Sequence, residues 1–236
     1  MIRASTREGV ATVGLDRADK GNALSVAMVA ALHAAIDAAI ADASVHTLVF
    51  GGAGAHFCTG FDLSSLETET DDTLAERFIA LEKLLQAVWH APVRTIALAQ
   101  GRTWGAGADL FASCDVRVAH DDTTIRFPGS AFGIVLGTRR LVEAIGWDRA
   151  RPFVTEGASC DAAAALACGI ATRVGIEGWL AEPANAPAVD RETFAALRSA
   201  ARGDHRAADL ATLTASARRP GLKQRILDYR ARLKKG

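Results

Sequence analysis

An α/β fold is predicted by three features of the sequence. Short apolar runs with strand character, at residues 10–15, 47–50 and 94–100, alternate with longer segments whose apolar residues recur at helical spacing. Residues 103–110 then carry strand-like sequence into a helix start through Gly105, Ala106, Gly107 and Ala108, small residues that let backbone approach backbone. Half of the 236 residues are hydrophobic, enough to bury a substantial core in one main domain.

Taken in order, residues 2–15 read as two strands around Glu8-Gly9, a hairpin whose second strand alternates in bulk. After the loop from Asp16 to Leu24, Ser25 caps a helix with Val29, Leu32, Ile36 and Ile40 on one face. A strand at 46–51 follows. Glu67, Glu69, Asp71 and Asp72 make residues 64–72 read as a mobile surface loop. Leu74, Phe78, Leu81, Leu85 and Val88 mark a long amphipathic helix that must end before Pro92. Residues 114–119 and 123–127 read as neighbouring strands, with Pro128-Gly129 as the break after them. Helices are expected at 138–145, 148–156 and 161–168, the last ended by Gly169 and followed by a strand at 171–176. Residues 182–187 read as a linker, and helices near 190–202, 204–217 and 221–234 finish the chain. The division expected is a core over 1–176 and a helical region over 177–236.

Lys plus Arg and Asp plus Glu both number 27, so the formal net charge is zero and neither nucleic acid nor a membrane surface is an expected partner. The basic residues near the C-terminus, among them Arg218, Arg219, Lys223, Arg225 and Arg230, read as a solvated helix face. Cys58, Cys114, Cys160 and Cys168 form no C-x-x-C pair and have no histidine at zinc-ligand spacing, so reduced structural thiols and no metal are expected. The sequence opens without a hydrophobic signal core, and no run approaches the length of a membrane span. A soluble cytoplasmic protein is the expectation.

Chemistry concentrates in two stretches. At 103–110, backbone N–H groups at a helix start can approach a ligand oxygen, and Asp109 follows Ala106 by three residues, so one turn carries an electrophilic donor and a candidate proton carrier. Leu110 stands where a dinucleotide fingerprint needs glycine, which argues against a nucleotide-dependent oxidoreductase. The second stretch is His56-Phe57-Cys58-Thr59-Gly60-Phe61-Asp62-Leu63. With Asn22-Ala23-Leu24-Ser25 and the 103–110 segment, it resembles the enoyl-CoA hydratase/isomerase (crotonase) superfamily over residues 2 to 176.

The resemblance implies a spiral of ββα units with C-terminal helices that pack around a trimer, or a dimer of trimers. It implies two oxyanion donors, the backbone amides of Phe61 and Ala106, that hold a thioester carbonyl while an enolate forms. It implies an acyl-CoA substrate of the kind met in fatty acid metabolism, with coenzyme A part of the substrate and no tightly bound cofactor. Contacts to coenzyme A fall on Arg17, Lys20 and Ala23, on the backbone at Cys58, Thr59 and Gly60, and on Gly105. Asp109 takes the place of the family's first glutamate, as acid/base; a cap or surface contact at the helix start is its other reading. Asp62 reads as a cap, and Cys58 as a packed thiol because His56 is expected to point elsewhere.

One departure bears on the reaction. Gly129 in Phe127-Pro128-Gly129 stands where the family carries its second glutamate, and the segment 134–141 is shortened. Hydration needs a group to hold and activate water, so an isomerase is favoured over a lyase and a poor hydratase is expected unless Glu143 or an acid from 67–72 enters the cleft. Thioester hydrolysis, decarboxylation, and binding of CoA thioesters without turnover are the alternatives.

Overall fold

The computed structural model describes residues 1–175 and 186–233. The hairpin is present as β1 (Ile2–Arg7) and β2 (Val10–Leu15), antiparallel, with Glu8 and Gly9 at positive φ in the turn. β3 (Thr47–Gly52), β4 (Arg94–Ala99), β6 (Val116–Ala119) and β9 (Arg173–Val174) extend it into a six-stranded sheet of order β1-β2-β3-β4-β6-β9, parallel from β2 onward. Alternation along the strands divides the apolar residues between two faces. Leu48, Phe50, Ala97 and Ala99 join the main core, while Val49, Ile96, Leu98 and Val118 form a smaller cluster of their own.

A second sheet of three short strands, β5 (Arg102–Trp104), β7 (Thr124–Arg126) and β8 (Ser159–Asp161), lies apart from the first. Residues 123–127 are therefore not the neighbour of 114–119. β6 lies between β4 and β9, whereas β7 pairs with β5 and β8, so the chain passes back and forth between sheets from β4 to β9.

Ser25 accepts a hydrogen bond from Met28 N–H at 3.2 Å and caps α1 (Val26–Ala41), which buries Met28, Val29, Leu32, Ile36 and Ala39. Thr70 caps α2 (Asp71–Trp89) in a reciprocal arrangement with Thr73. The acidic segment before it is anchored rather than mobile. Leu66 is fully buried, Glu69 pairs with Arg77, Glu67 pairs with Arg230, and Asp71 accepts from the backbone N–H groups of Gly221, Leu222 and Lys223. Those three amides open α9, and their bonds hold the Asp71 carboxyl below the usual carboxylate range.

α3 (Ala106–Ala112), α4 (Thr138–Ile145), α5 (Trp147–Thr155) and α6 (Ala162–Cys168) follow. Asp161 caps α6, and Gly169, in the left-handed region, ends it. Pro128 and Gly129 lie in a short 3-10 turn, Pro128–Phe132. α7 (Arg191–Ala201), α8 (Arg206–Ala217) and α9 (Leu222–Leu233) are the expected C-terminal helices. Leu213, Ala217, Leu222 and Ile226 enter the same core as α1 and α2. Arg198 and Arg202 donate to the carbonyls of Val88 and Trp89 and so satisfy the C-terminal end of α2. The linker at 182–187 lies for the most part outside the described residues, as does Ile176. No helix among the described residues is long and apolar enough to cross a membrane.

Candidate active site

The two motif stretches meet edge to edge. Cys58 N–H donates to the Arg102 carbonyl at 3.3 Å, and the Cys58 carbonyl accepts from Trp104 N–H at 2.9 Å. On the other side, Leu24 N–H donates to the Gly60 carbonyl at 2.8 Å and the Leu24 carbonyl accepts from Asp62 N–H at 3.3 Å. In such a ladder the residue between the two bonded groups faces the opposite way, so the Phe61 N–H turns away from Leu24. Gly60, at φ +96°, makes the approach feasible. A Cβ there would lie 2.7 Å from the Trp104 carbonyl oxygen and 3.3 Å from Ala106 N.

Ala106 is the first residue of α3, so its N–H has no partner within the helix, and the preceding amide, Gly105 N–H, is taken by the Arg126 carbonyl at 2.8 Å. Among the described residues neither Phe61 N–H nor Ala106 N–H has an acceptor. Both residues line a cavity of about 350 Å³, with Thr59, Gly105 and Asp109. Its remaining walls are mainly apolar, with Leu63, Phe78, Phe132, Ile226 and Tyr229. Two unsatisfied amides at an apolar cavity suit an oxygen on which negative charge develops.

Asp109 is the one carboxylate that lines this cavity among the described residues. It is 7% exposed, and its side chain neither caps α3 nor accepts a hydrogen bond from any described residue. Burial pushes its carboxyl well above the usual range; Arg140 opposes the shift and Glu82 adds to it. Arg140 and Glu82 form an ion pair that is almost wholly buried, and Gln86 donates to Glu82 at 2.9 Å.

Gly129 also lines the cavity and contributes no side chain to it. No acid other than Asp109 lines the cavity among the described residues. Glu143 pairs with Arg139 outside the cavity, and Glu67, Glu69 and Asp71 are committed to the contacts described above.

Of the residues expected to touch coenzyme A, Thr59 and Gly105 line the cavity, and Gly60 lies against Ala106. Lys20 is exposed on a 3-10 turn, Ala18–Lys20. Arg17 is already engaged, with its guanidinium 2.5 Å from Asp62 Oδ2 and 3.2 Å from the Ala23 carbonyl. Asp62 also accepts from Ser64 N–H at 2.8 Å; burial works against its charge, but these bonds outweigh it and hold the carboxyl low. Cys58 is fully buried, its thiol donates to the Asn22 carbonyl, and burial pushes it up to about 12. His56 Nδ1 instead accepts from Arg102 N–H, so no Cys–His pair exists there. Among the described residues no group of three His, Cys, Asp or Glu side chains could hold a metal ion.

Two contributors were not assigned roles from sequence. Asn22, buried and at φ +55°, donates through Nδ2 to the Ala53 and His56 carbonyls and accepts from Arg17 N–H, which ties the first loop to the second motif. Glu82 falls four residues after Phe78 and three before Leu85, so a charge on the apolar face of α2 was its visible signal.

A family model described as enoyl-CoA hydratase/isomerase matches residues 5–189. A probable enoyl-CoA hydratase of Mycobacterium leprae is 35% identical over 192 residues, with 77% of this chain and 76% of the relative covered. A crystal structure from Bordetella parapertussis, designated an enoyl-CoA hydratase/isomerase, is 40% identical, with a TM-score of 0.93 and 98% of each chain covered. An enoyl-CoA hydratase of Bacillus halodurans shares the fold at 20% identity, with a TM-score of 0.81 over 96% of this chain and 99% of that one.

Proposed function

The chain belongs to the enoyl-CoA hydratase/isomerase family, and from that premise we propose that it holds an acyl-CoA thioester carbonyl between Phe61 N–H and Ala106 N–H while Asp109 moves a proton. The observation that carries the reading is the pair of amides, unpartnered among the described residues, on one cavity with a single carboxyl among those residues. As charge develops on the thioester oxygen, both donors gain strength from the mainly apolar walls around them; one such donor is worth about 2.7–4 kcal/mol of barrier.

Double-bond isomerisation is the reaction this set serves best. The ionised Asp109 carboxyl takes a proton from one carbon of an enoyl thioester, the electron pair moves onto the carbonyl oxygen as a dienolate, and the same proton returns at another carbon. Hydration asks for a second group to hold water, and Gly129 offers none. Coenzyme A enters only as part of the substrate, with its path along Thr59 and Gly60 and past the loop of Arg17, Lys20 and Ala23. A competing reading is binding of CoA thioesters without turnover, favoured by the burial that raises the Asp109 carboxyl and so disfavours its ionised form. A panel of 2-enoyl and 3-enoyl thioesters distinguishes them: interconversion of the two supports the isomerase, and thermal stabilisation without product across the panel supports the binder.

The passage of the chain between two sheets supports a ββα spiral; a trimer or dimer of trimers working in the cytoplasm completes the proposal. Light scattering at micromolar concentration tests the assembly, and a monomer there rejects it.

A further inference from the structure

The direction of the Phe61 amide is set by more than its own backbone. Arg77 reaches from α2 and donates through Nη2 to the Asp62 carbonyl at 2.7 Å, while its Nη1 pairs with Glu69 and lies 3.4 Å from Ser65 Oγ. Its Cζ sits 3.9 Å from the centroid of the Phe61 ring, and Phe78 stacks on that ring at 4.3 Å with an interplanar angle of 14°. Two groups that close to one centroid cannot share a face, so the ring is clamped between consecutive residues of α2. The Arg77 and Glu69 side chains are only 9% and 11% exposed, which shields the pair from screening by solvent. Asp62 is gripped at the same time from its carboxylate, by Arg17 at 2.5 Å.

Packing alone does not call for this arrangement. A buried guanidinium is costly, and an apolar side chain would join α2 to the 61–69 segment at less expense in desolvation. A rigid fork adds direction: it ties the carbonyl one residue beyond the donor and the ring of the donor itself. We infer that Arg77 is a positioning residue of the oxyanion site, which fixes the line of the Phe61 N–H through the Asp62 carbonyl and the Phe61 ring. The inference rests on the thioester reading above.

The test uses the full-length protein with 2,4-hexadienoyl-CoA, a chromophore whose absorption moves to the red when its carbonyl is polarised. Wild type is expected to give a red shift on binding. Arg77→Met keeps an apolar cover on the ring and loses the fork. It is expected to halve the red shift or more and to weaken hexadienoyl-CoA binding about tenfold, less than outright loss of a donor, while affinity for free CoA stays within about twofold. Glu69→Gln, which leaves the guanidinium in place but loosens it, is expected to change both readings in the same direction by a smaller factor. An undiminished red shift and affinity in Arg77→Met overturns the inference; should that variant fail to fold, an undiminished shift in Glu69→Gln does so. Absence of a red shift in wild type overturns the oxyanion reading itself and the inference with it, before any substitution is made.

Discussion

Gly137 leaves no room for a side chain beside the carboxyl of Asp109: a Cβ built on Gly137 would come within 2.7 Å of Asp109 Cγ and 3.0 Å of Asp109 Cβ. Gly137 also holds φ +67° at the start of α4. Gly137→Ala is therefore expected to cost about 1–3 kcal/mol of stability and to displace the carboxyl, so turnover falls by at least tenfold. Melting curves and turnover of the same preparation check both effects.

Asp109→Asn keeps the shape of the side chain and removes its proton transfer. Thioester affinity is expected to stay within a few-fold and turnover to fall about 10²-fold or more. Unchanged turnover on a verified substrate would remove Asp109 from the chemistry.

The raised carboxyl of Asp109 fixes the sign of a pH effect. Between the ordinary value of 3.8 and its raised folded value, the native state binds more protons than the unfolded chain, so this group's contribution to stability falls as pH rises through that window. Asp109→Asn lacks this titration. The melting temperature of wild type minus that of the variant is expected to fall from about pH 4 upward and then level off above the folded value. Parallel curves would contradict the assignment.

The elements that were legible in the sequence are those whose signals are local. Ser25 sits at its cap, and the Phe61 and Ala106 segments carry their own turn residues, so the site's backbone was readable before any packing was known. Long-range partners were not. Residues 64–72 look loose because their acids await Arg77, Arg230 and the amides of 221–223, most of them far along the chain. β7 reads from sequence as the neighbour of β6, yet pairs with β5 and β8, because a three-residue strand carries no mark of its partner. Arg17, a coenzyme contact by resemblance, is in addition held by Asp62, 45 residues away, a partner that no local signal marks.

Gly129 has space for a Cβ, which would meet nothing closer than the Ile134 carbonyl oxygen at 3.4 Å. Wild type is expected to hydrate crotonyl-CoA with kcat/KM below about 10⁴ M⁻¹s⁻¹. Gly129→Glu is expected to raise that value at least tenfold at little cost in melting temperature. Efficient hydration by wild type would show that another group activates water.

Phe61 N–H and Ala106 N–H are expected to grip a thioester oxygen together. Calorimetric titration with a butyryl thioester of CoA and with the matching S-butyl thioether, which lacks the carbonyl, tests it most directly. Ala106→Pro serves as the control, because proline at the first position of a helix is tolerated, while its ring Cδ replaces the N–H that would donate to the oxygen. Wild type is expected to bind the thioester at least tenfold more tightly than the thioether, and Ala106→Pro to lose most of that difference. Equal affinities of wild type for the two ligands would contradict the account.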